Sequence, residues 1–164
     1  MSSVNNSQEL GKILVSIAKL LLANQNLCKL LKYTDIDPLA AGKPEIQGIS
    51  LLNKNVRIIP LVKHDEQKSE SKLVLLFTSG ENYEENDSFS RVTMKIQIFC
   101  PLNEWIICGE TLRPFELISE IKKSLSGKRI NGLGTLKIRG FKLITLTDEM
   151  GCYELECGFN EFSW

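Results

Sequence analysis

The sequence WIICGETLRPFELISEIKKSL, residues 105–125, joins a strand-like segment to an amphipathic helix through a turn and an Arg-Pro step. Pro114 is expected at the first helical position, where its missing amide hydrogen is tolerated, and Gly127 is expected to end the helix. Apolar residues recur at three- and four-residue spacing and therefore share one face, which predicts packing on a sheet: Leu117, Ile118, Ile121 and Leu125.

Arg113 stands just ahead of this helix, near Cys108 and Glu110, and raises the question of a chemical site. No catalytic partner for its guanidinium is evident in the sequence. The following proline disfavours helical geometry for Arg113, so we expect an extended residue at a structural joint. A weak surface ion pair with Glu110 or Glu116 is its simplest role.

Upstream and downstream of this segment, the chain shows strand-like runs separated by polar linkers. Residues 91–100 alternate apolar and polar side chains, as in a half-buried antiparallel strand. Residues 79–90 read as a polar hairpin loop, and Trp105 and Cys108 read as core residues of a strand. The predicted strands cover residues 55–62, 72–78, 91–100, 104–108, 135–146 and 152–162.

The N-terminal part of the chain predicts a long helix. Residues 7–32 carry an apolar stripe at helical spacing, and Asn6 with Glu9 has the form of a capping box. The NQN sequence at 24–26 interrupts the stripe and either kinks or divides the helix, because Asn competes for backbone hydrogen bonds. We treat the segment as one broken helix.

These elements predict a single α+β domain over residues 1–164, with an antiparallel sheet, an N-terminal helix and a second helix packed on one face. Residues 34–55 contain prolines and glycines in an irregular order. A loop longer than about 12–15 residues is often functional, so this segment is a candidate contact arm.

Composition and charge restrict the function. Twenty basic and twenty acidic residues give a net charge of zero, which provides no global attraction to nucleic acid or an anionic membrane. The N-terminus lacks signal-peptide features, and the apolar runs are far shorter than the ~20 residues of a bilayer span. A soluble protein made in the cytoplasm, without membrane contact, is the expectation.

Catalytic and metal-binding motifs are weak. The only histidine, His64, lies in a charged segment and reads as a solvated loop residue. The five cysteines contain no C-x-x-C pair, which argues against a zinc site and favours reduced, mostly buried thiols. NGLG at 131–134 lacks phosphate-loop spacing and reads as a turn. We expect no enzyme activity, metal or cofactor.

Two charge clusters are candidate contact sites. Each is equally compatible with a solvated surface, and basic residues at a helix C-terminus also complement the helix dipole. The candidate lumen or ring-contact loop is acidic and contains Glu81, Glu84, Glu85 and Asp87. The candidate subunit-contact cluster is basic and contains Lys122, Lys123, Lys128 and Arg129.

Three segments together resemble the tail-completion and tail-terminator proteins of tailed bacteriophages: IFCPLNEWIICGETLRPFELISEIKKSL, INGLGTLKI, and GCYELECGF followed by NEF. The segment LLANQNLCKLLKYTDIDPL is similar to the helix and loop near the start of such proteins. The Lys, Asn and Ile usage resembles neck-ring proteins of crAss-like gut phages. The resemblance implies a helix, an antiparallel sheet, a second helix and a closing hairpin.

The resemblance also implies a structural virion protein that forms a homo-oligomeric ring of six or twelve subunits in the neck or tail. Its partners would be the portal and other neck or tail proteins, with non-specific proximity to the genomic DNA in the channel. Such a ring needs two different patches per subunit. The alternative is a monomeric adaptor or assembly chaperone that binds another protein through its amphipathic first helix.

Overall fold

A computed structural model describes residues 7–58, 70–82, 89–130 and 132–160 and shows an α+β fold. Two short 3-10 helices, Gly48–Leu51 and Leu102–Glu104, lie in its connections. The helices are α1 (Ser7–Leu22), α2 (Gln25–Lys32) and α3 (Arg113–Leu125). The strands are β1 (Val56–Arg57), β2 (Lys72–Asn82), β3 (Phe89–Pro101), β4 (Ile106–Ile107), β5 (Thr111–Leu112), β6 (Arg129–Ile130), β7 (Gly134–Leu146) and β8 (Met150–Asn160).

Six strands form the main sheet in the order β1-β2-β3-β8-β7-β6. The four long strands pair antiparallel, as predicted. One edge of the sheet departs from the antiparallel pattern, since β1 pairs parallel with β2 through Val56 and Leu73. Parallel neighbours require the chain to return to the same end of the sheet between them, and no short-range pattern records that crossover.

The two faces of the sheet differ in polarity. On β3, buried residues alternate with half-buried ones from Val92 to Cys100, which confirms the predicted alternation. Cross-strand partners share a face, so Ile96 and Leu155 lie together on what we call the inner face, and Gln97 and Glu154 lie on the outer face. The inner face forms one core with all three helices.

The N-terminal helical segment is divided, and the treatment of residues 7–32 as one broken helix is corrected to two helices. α1 and α2 meet at an 87° bend. Asn24 is the N-cap of α2, and its side-chain oxygen accepts a hydrogen bond from the Leu27 amide. None of the described helices alone has the length and apolarity of a membrane span, whereas α1 and α2 taken together across the bend do.

The joint between β3 and α3 is more irregular than predicted. The predicted strand at 104–108 does not join the main sheet; residues Ile106–Ile107 pair only with Thr111–Leu112 in a separate two-stranded sheet. α3 begins at Arg113, one residue earlier than predicted, and Pro114 occupies its first turn. Gly127 follows the helix at φ 76°, in the left-handed region that favours glycine, so the predicted stop is confirmed.

The connecting segments are partly shorter than predicted. Strands β2 and β3 extend into the predicted loop 79–90, which leaves residues 83–88 outside the described part. Residues 59–62 of the predicted strand 55–62, as well as Asn6 of the capping box, also lie outside it. The turn predicted at 131–134 is present at residues 132–133.

The candidate arm, residues 34–55, is anchored to the helices of its own chain. The Gln25 side chain bonds both backbone groups of Ile46, at 2.7 and 2.9 Å. Gly48 packs so closely on the Leu22 carbonyl that a Cβ would collide with it. Leu51 is buried in the core, while Ile36 and Ile49 remain exposed.

Candidate assembly surfaces

Arg113 is completely buried at the joint, which corrects the prediction of an extended residue in a surface ion pair. Its guanidinium donates to four backbone carbonyls. These belong to Glu104 at 3.0 Å, Leu30 at 2.6 Å, Tyr33 at 2.8 Å and Asp35 at 2.9 Å. One side chain therefore connects the C-terminus of α2 and the following residues to the start of α3.

The buried guanidinium of Arg113 stays charged and acts as a structural group. Burial lowers the pKa of the Arg113 guanidinium, but an arginine remains protonated in proteins. Burial raises the pKa of the Glu104 carboxyl, and Arg113, whose Nε lies 4.0 Å from the carboxylate, opposes that rise. Because the guanidinium donates to four backbone carbonyls from separate segments, Arg113 holds the joint together.

A second polar contact fixes the bend between α1 and α2. The Asn24 side-chain amide donates to the Glu120 carboxylate at 2.9 Å and to the Ser124 hydroxyl at 3.0 Å. Glu120 also pairs with Lys123 at 2.6 Å. The NQN sequence therefore marks both a helix boundary and the docking point of α3.

The thiols divide into four buried and one exposed. Cys28, Cys100, Cys152 and Cys157 are buried, and burial raises the pKa of the last three to about 12. The core position predicted for Cys108 is wrong, because this residue is exposed in the turn between β4 and β5 at φ 55°. Its neighbour in the strand-like run, Trp105, packs on Gly151.

The described part of the chain contains no group of three or more His, Cys, Asp and Glu side chains arranged to hold a metal ion. His64 lies outside the described residues.

An exposed aromatic surface lies where α3 begins, and we name it by its three most exposed members: Phe115, Phe141 and Leu143. Their side chains are 38%, 51% and 50% exposed. The rings of Phe115 and Phe141 pack edge to face, with 5.7 Å between their centroids, and both contact the half-buried ring of Tyr153. Grouped exposed apolar side chains mark interaction surfaces more often than single ones do.

This aromatic surface borders a long open strand edge. Within the described ranges, β6 covers only the first two residues of β7, Gly134 and Thr135. The amide and carbonyl of Leu136 point away from β8, because they bond Lys128 and Gly127. By the antiparallel alternation, with one bulge between Ile138 and Gly140, the backbone groups of Phe141 and Leu143 point to the same open side.

The outer face next to this edge is ionic. Glu154 accepts hydrogen bonds or ion pairs from Lys95 at 2.9 Å, Gln97 at 3.2 Å and Lys142 at 3.5 Å. Burial raises the pKa of the Glu154 carboxyl, but these partners outweigh that effect and hold it below its usual value. Arg139 lies across Gly158 and pairs with Glu156 at 3.7 Å.

At the opposite edge, β2 and β3 continue beyond the body of the sheet. β3 pairs with β8 only as far as Met94, whereas its pairing with β2 continues to Phe89. We call residues 78–82 and 89–93 the β2–β3 ribbon. An isolated two-stranded ribbon is only marginally stable in water, so a projecting ribbon gains stability when a partner covers it.

The structure describes all of the predicted basic cluster but only one residue of the predicted acidic cluster. Glu81 is exposed on the β2–β3 ribbon opposite Arg91, whereas Glu84, Glu85 and Asp87 lie outside the described residues. The four basic residues are all exposed near the C-terminal end of α3: Lys122 and Lys123 in its last turn, and Lys128 and Arg129 at the start of β6.

Sequence reasoning missed the open edge of β7 and the aromatic surface. Exposure of Phe141 and Leu143 depends on how far α3 covers the sheet, which is a tertiary property. A usable signal was present, since β7 alternates Lys137, Arg139 and Lys142 with apolar residues. That pattern is typical of an edge strand whose charged side chains discourage non-specific pairing.

A family model described as YomW matches residues 24–159, which span α2 to the end of β8. No curated protein matches the chain. The family name derives from a Bacillus prophage, and the match indicates a phage-associated protein. The match covers well over half of the sequence, and the chain therefore belongs to the YomW family.

Proposed function

We propose that this protein is a structural virion subunit that forms a ring in the head-to-tail connector of a tailed bacteriophage. The ring links the portal to the tail and lines the passage for DNA. The observation that carries the proposal is the presence of two unlike surfaces at opposite edges of one sheet: the β2–β3 ribbon, and the β7 edge with its aromatic surface. Membership of a phage-associated family supports it.

Two unlike surfaces suit a ring better than a two-fold dimer. A two-fold contact uses the same patch on both copies, whereas a ring closes through contacts between different patches. Six or twelve copies would complete the ring, and the portal and other neck or tail proteins would be its neighbours. The proposed role contains no catalytic step and requires no cofactor.

The charge of the chain is compatible with a DNA passage. A strongly cationic wall would retain DNA phosphates by releasing their counterions, whereas this chain has a net charge of zero. In the proposed ring, the acidic loop points to the channel or to an adjoining ring. The basic cluster at the end of α3 lies at subunit or ring contacts.

The adaptor alternative depends on an available apolar face of the first helix. That face is already covered within the chain, because Ile17, Ala18 and Leu21 of α1 are completely buried. Leu20 is the one large apolar residue of α1 that is exposed among those described, at 37%. The structure therefore favours the ring over an adaptor that binds through α1.

The test uses phage particles produced from the genome that encodes this chain. We expect mass spectrometry of purified particles to detect the protein, and cryo-electron microscopy to place it as a ring between head and tail. Deleting the gene should give filled heads and separate tails that do not join. Particles that form and infect normally without this protein would refute the proposal.

A further inference from the structure

The edge of β7 offers main-chain groups to an added strand between two bulges. The strand is irregular after Ile138 and again after Leu143, and between these points the backbone groups of Phe141 and Leu143 point away from β8. The side chains of both residues are half exposed on the inner face. An extended segment placed here would therefore gain main-chain hydrogen bonds and apolar contacts with the aromatic surface.

The outer face beside this edge carries more cations than carboxylates. Glu154 pairs with two lysines, and Glu156 pairs with Arg139, so three cations share two carboxylates. Lys137, which is exposed and lies opposite Gly158, adds further positive charge. The edge therefore favours a segment that presents acidic side chains on this face.

An open cavity of about 260 Å³ lies on the outer side of the same edge. Its lining residues come from β7 and β8: Arg139, Gly140, Phe141, Lys142, Glu154 and Glu156. The Arg139 guanidinium lies 3.7 Å from Glu156. The Lys142 ammonium lies 3.5 Å from Glu154. Because both separations exceed the usual N–H···O hydrogen-bond distance of about 2.7–3.2 Å, both cations can donate to a carboxylate that enters the cavity.

The charges on the edge also limit which strands can pair with it. Lysines and bulges on an edge strand discourage non-specific pairing, so a neutral or basic segment should bind poorly, whereas an acidic segment gains ion pairs. The β2–β3 ribbon of a second copy does not provide an acidic strand, because over its described residues one acidic residue, Glu81, lies opposite one basic residue, Arg91. The occupant that fits the edge is therefore a segment of another protein.

We propose that the open edge of β7 binds an extended segment of a different protein, in which acidic side chains alternate with apolar ones. The apolar side chains lie on the aromatic surface, and an acidic side chain enters the cavity beside Arg139 and Lys142. The inference identifies the partner of this edge and does not require the ring. In the proposed ring, the segment would come from another neck or tail protein and lie where two copies meet.

The test uses the purified protein and synthetic peptides. The probe is a short fluorescent peptide in which Val and Glu alternate, and the control peptide has Lys in place of Glu. Fluorescence anisotropy measures the two dissociation constants. We expect the Glu peptide to bind at least about 10-fold more tightly, the effect of several exposed ion pairs. Equal affinities, or no binding of the Glu peptide, would overturn the proposal.

Peptides with methylated backbone amides test whether the segment is added as a strand. The amides of an extended chain point alternately to its two sides, so methylating all Val amides and methylating all Glu amides block opposite sides. We expect one of these two peptides to lose binding and the other to retain it. Equal affinities of the two methylated peptides would contradict strand addition.

Two measurements on the protein locate the site. When the Glu peptide binds, the amides of Phe141 and Leu143 should exchange more slowly with deuterium, and the amide of the exposed Ile49 should not. Lys137→Glu should weaken binding by about 2- to 5-fold, the range expected for an exposed ion pair. Lys54→Glu, at an exposed position near the opposite edge of the sheet, should leave binding unchanged. Protection confined to another region, or equal losses in the two variants, would overturn the proposed site.

The outcome is separable from that of the proposed function. Peptide binding is measured on the isolated protein, so its failure would overturn this inference and leave the test on phage particles as it stands. Absence of the protein from particles would refute the connector role without changing the peptide result.

Discussion

Arg113 and Arg139 carry the same side chain in opposite settings. Arg113 is completely buried, and its guanidinium donates to four backbone carbonyls. The Arg139 side chain is 58% exposed, lies at a bulge of β7 and pairs with one carboxylate, Glu156, at 3.7 Å. The first arginine donates to the backbone of its own fold, and the second lies on an exposed surface.

The comparison separates the part of the molecule that maintains the fold from the part that faces partners. Around Arg113, contacts join α2, α3 and the 3-10 helix before it, and the neighbouring Trp105 ring packs on Gly151. Around Arg139, the contacts are between side chains at the edge of the sheet. Substitutions in the first region should therefore change stability, and those in the second should mainly change assembly.

The largest effect is expected for Arg113→Met. Removing the guanidinium leaves four carbonyls without their donor and the buried Glu104 without its cation, which should lower the free energy of unfolding by about 3–5 kcal/mol. Urea unfolding followed by circular dichroism measures the change. Arg113→Lys should recover only part of the loss, because an ammonium cannot reach all four acceptors. A loss below about 1 kcal/mol would contradict the structural role.

A pair of glycine substitutions on β8 sharpens the comparison. A Cβ at Gly151 would collide with the Trp105 ring, so Gly151→Ala should lower the free energy of unfolding by about 1–3 kcal/mol. The three atoms nearest to a Cβ at Gly158 all belong to the exposed Arg139 guanidinium, which can move away. Gly158→Ala should therefore cost less than about 0.5 kcal/mol. Equal losses in thermal unfolding would remove the proposed difference between the regions.

The Glu154 cluster should give a smaller, pH-dependent effect. Its folded-state pKa lies below the ordinary value of 4.5, so it contributes stability above that pH and loses it as the pH falls through the folded value. Glu154→Gln should cost about 1 kcal/mol at pH 7 and reduce the dependence of stability on pH below 4.5. Glu120 has the same sign of shift and remains in both proteins. Identical pH profiles for the two proteins would contradict the prediction.

A small effect on stability is also expected for Arg139→Ala. An exposed ion pair contributes about 0–1 kcal/mol, so the unfolding midpoint should hardly change. A loss of several kcal/mol in urea unfolding would contradict the surface role assigned to Arg139.

Local patterns predicted much of the fold. The alternation of apolar and polar residues predicted β3, and Pro114 and Gly127 predicted the two ends of α3. The NQN sequence predicted where α1 ends. The parallel pairing of β1 and the burial of Arg113 depend on segments far apart in sequence. A local reading therefore assigned Arg113 to the surface, where charged residues usually lie.

The candidate site was predicted less completely than the fold. The charge clusters were visible in the sequence, and the basic one lies together at the end of α3. The open edge of β7 was not predicted, because it depends on β6 being only two residues long and on the area that α3 covers. Neither property follows from periodicity within a single segment.

The contacts between α3 and the first two helices can form only late in synthesis of the chain. The hydrogen-bond partners of the Asn24 side chain, Glu120 and Ser124, are synthesised 96 and 100 residues later. The partner of the Leu30 carbonyl, Arg113, is synthesised 83 residues later. At about 5–20 residues per second, the ribosome needs roughly 5–20 s to supply them. During that interval, α1 and α2 have no α3 to cover their apolar residues. The growing chain should therefore depend most on chaperones before α3 emerges from the ribosome, and least once it has done so.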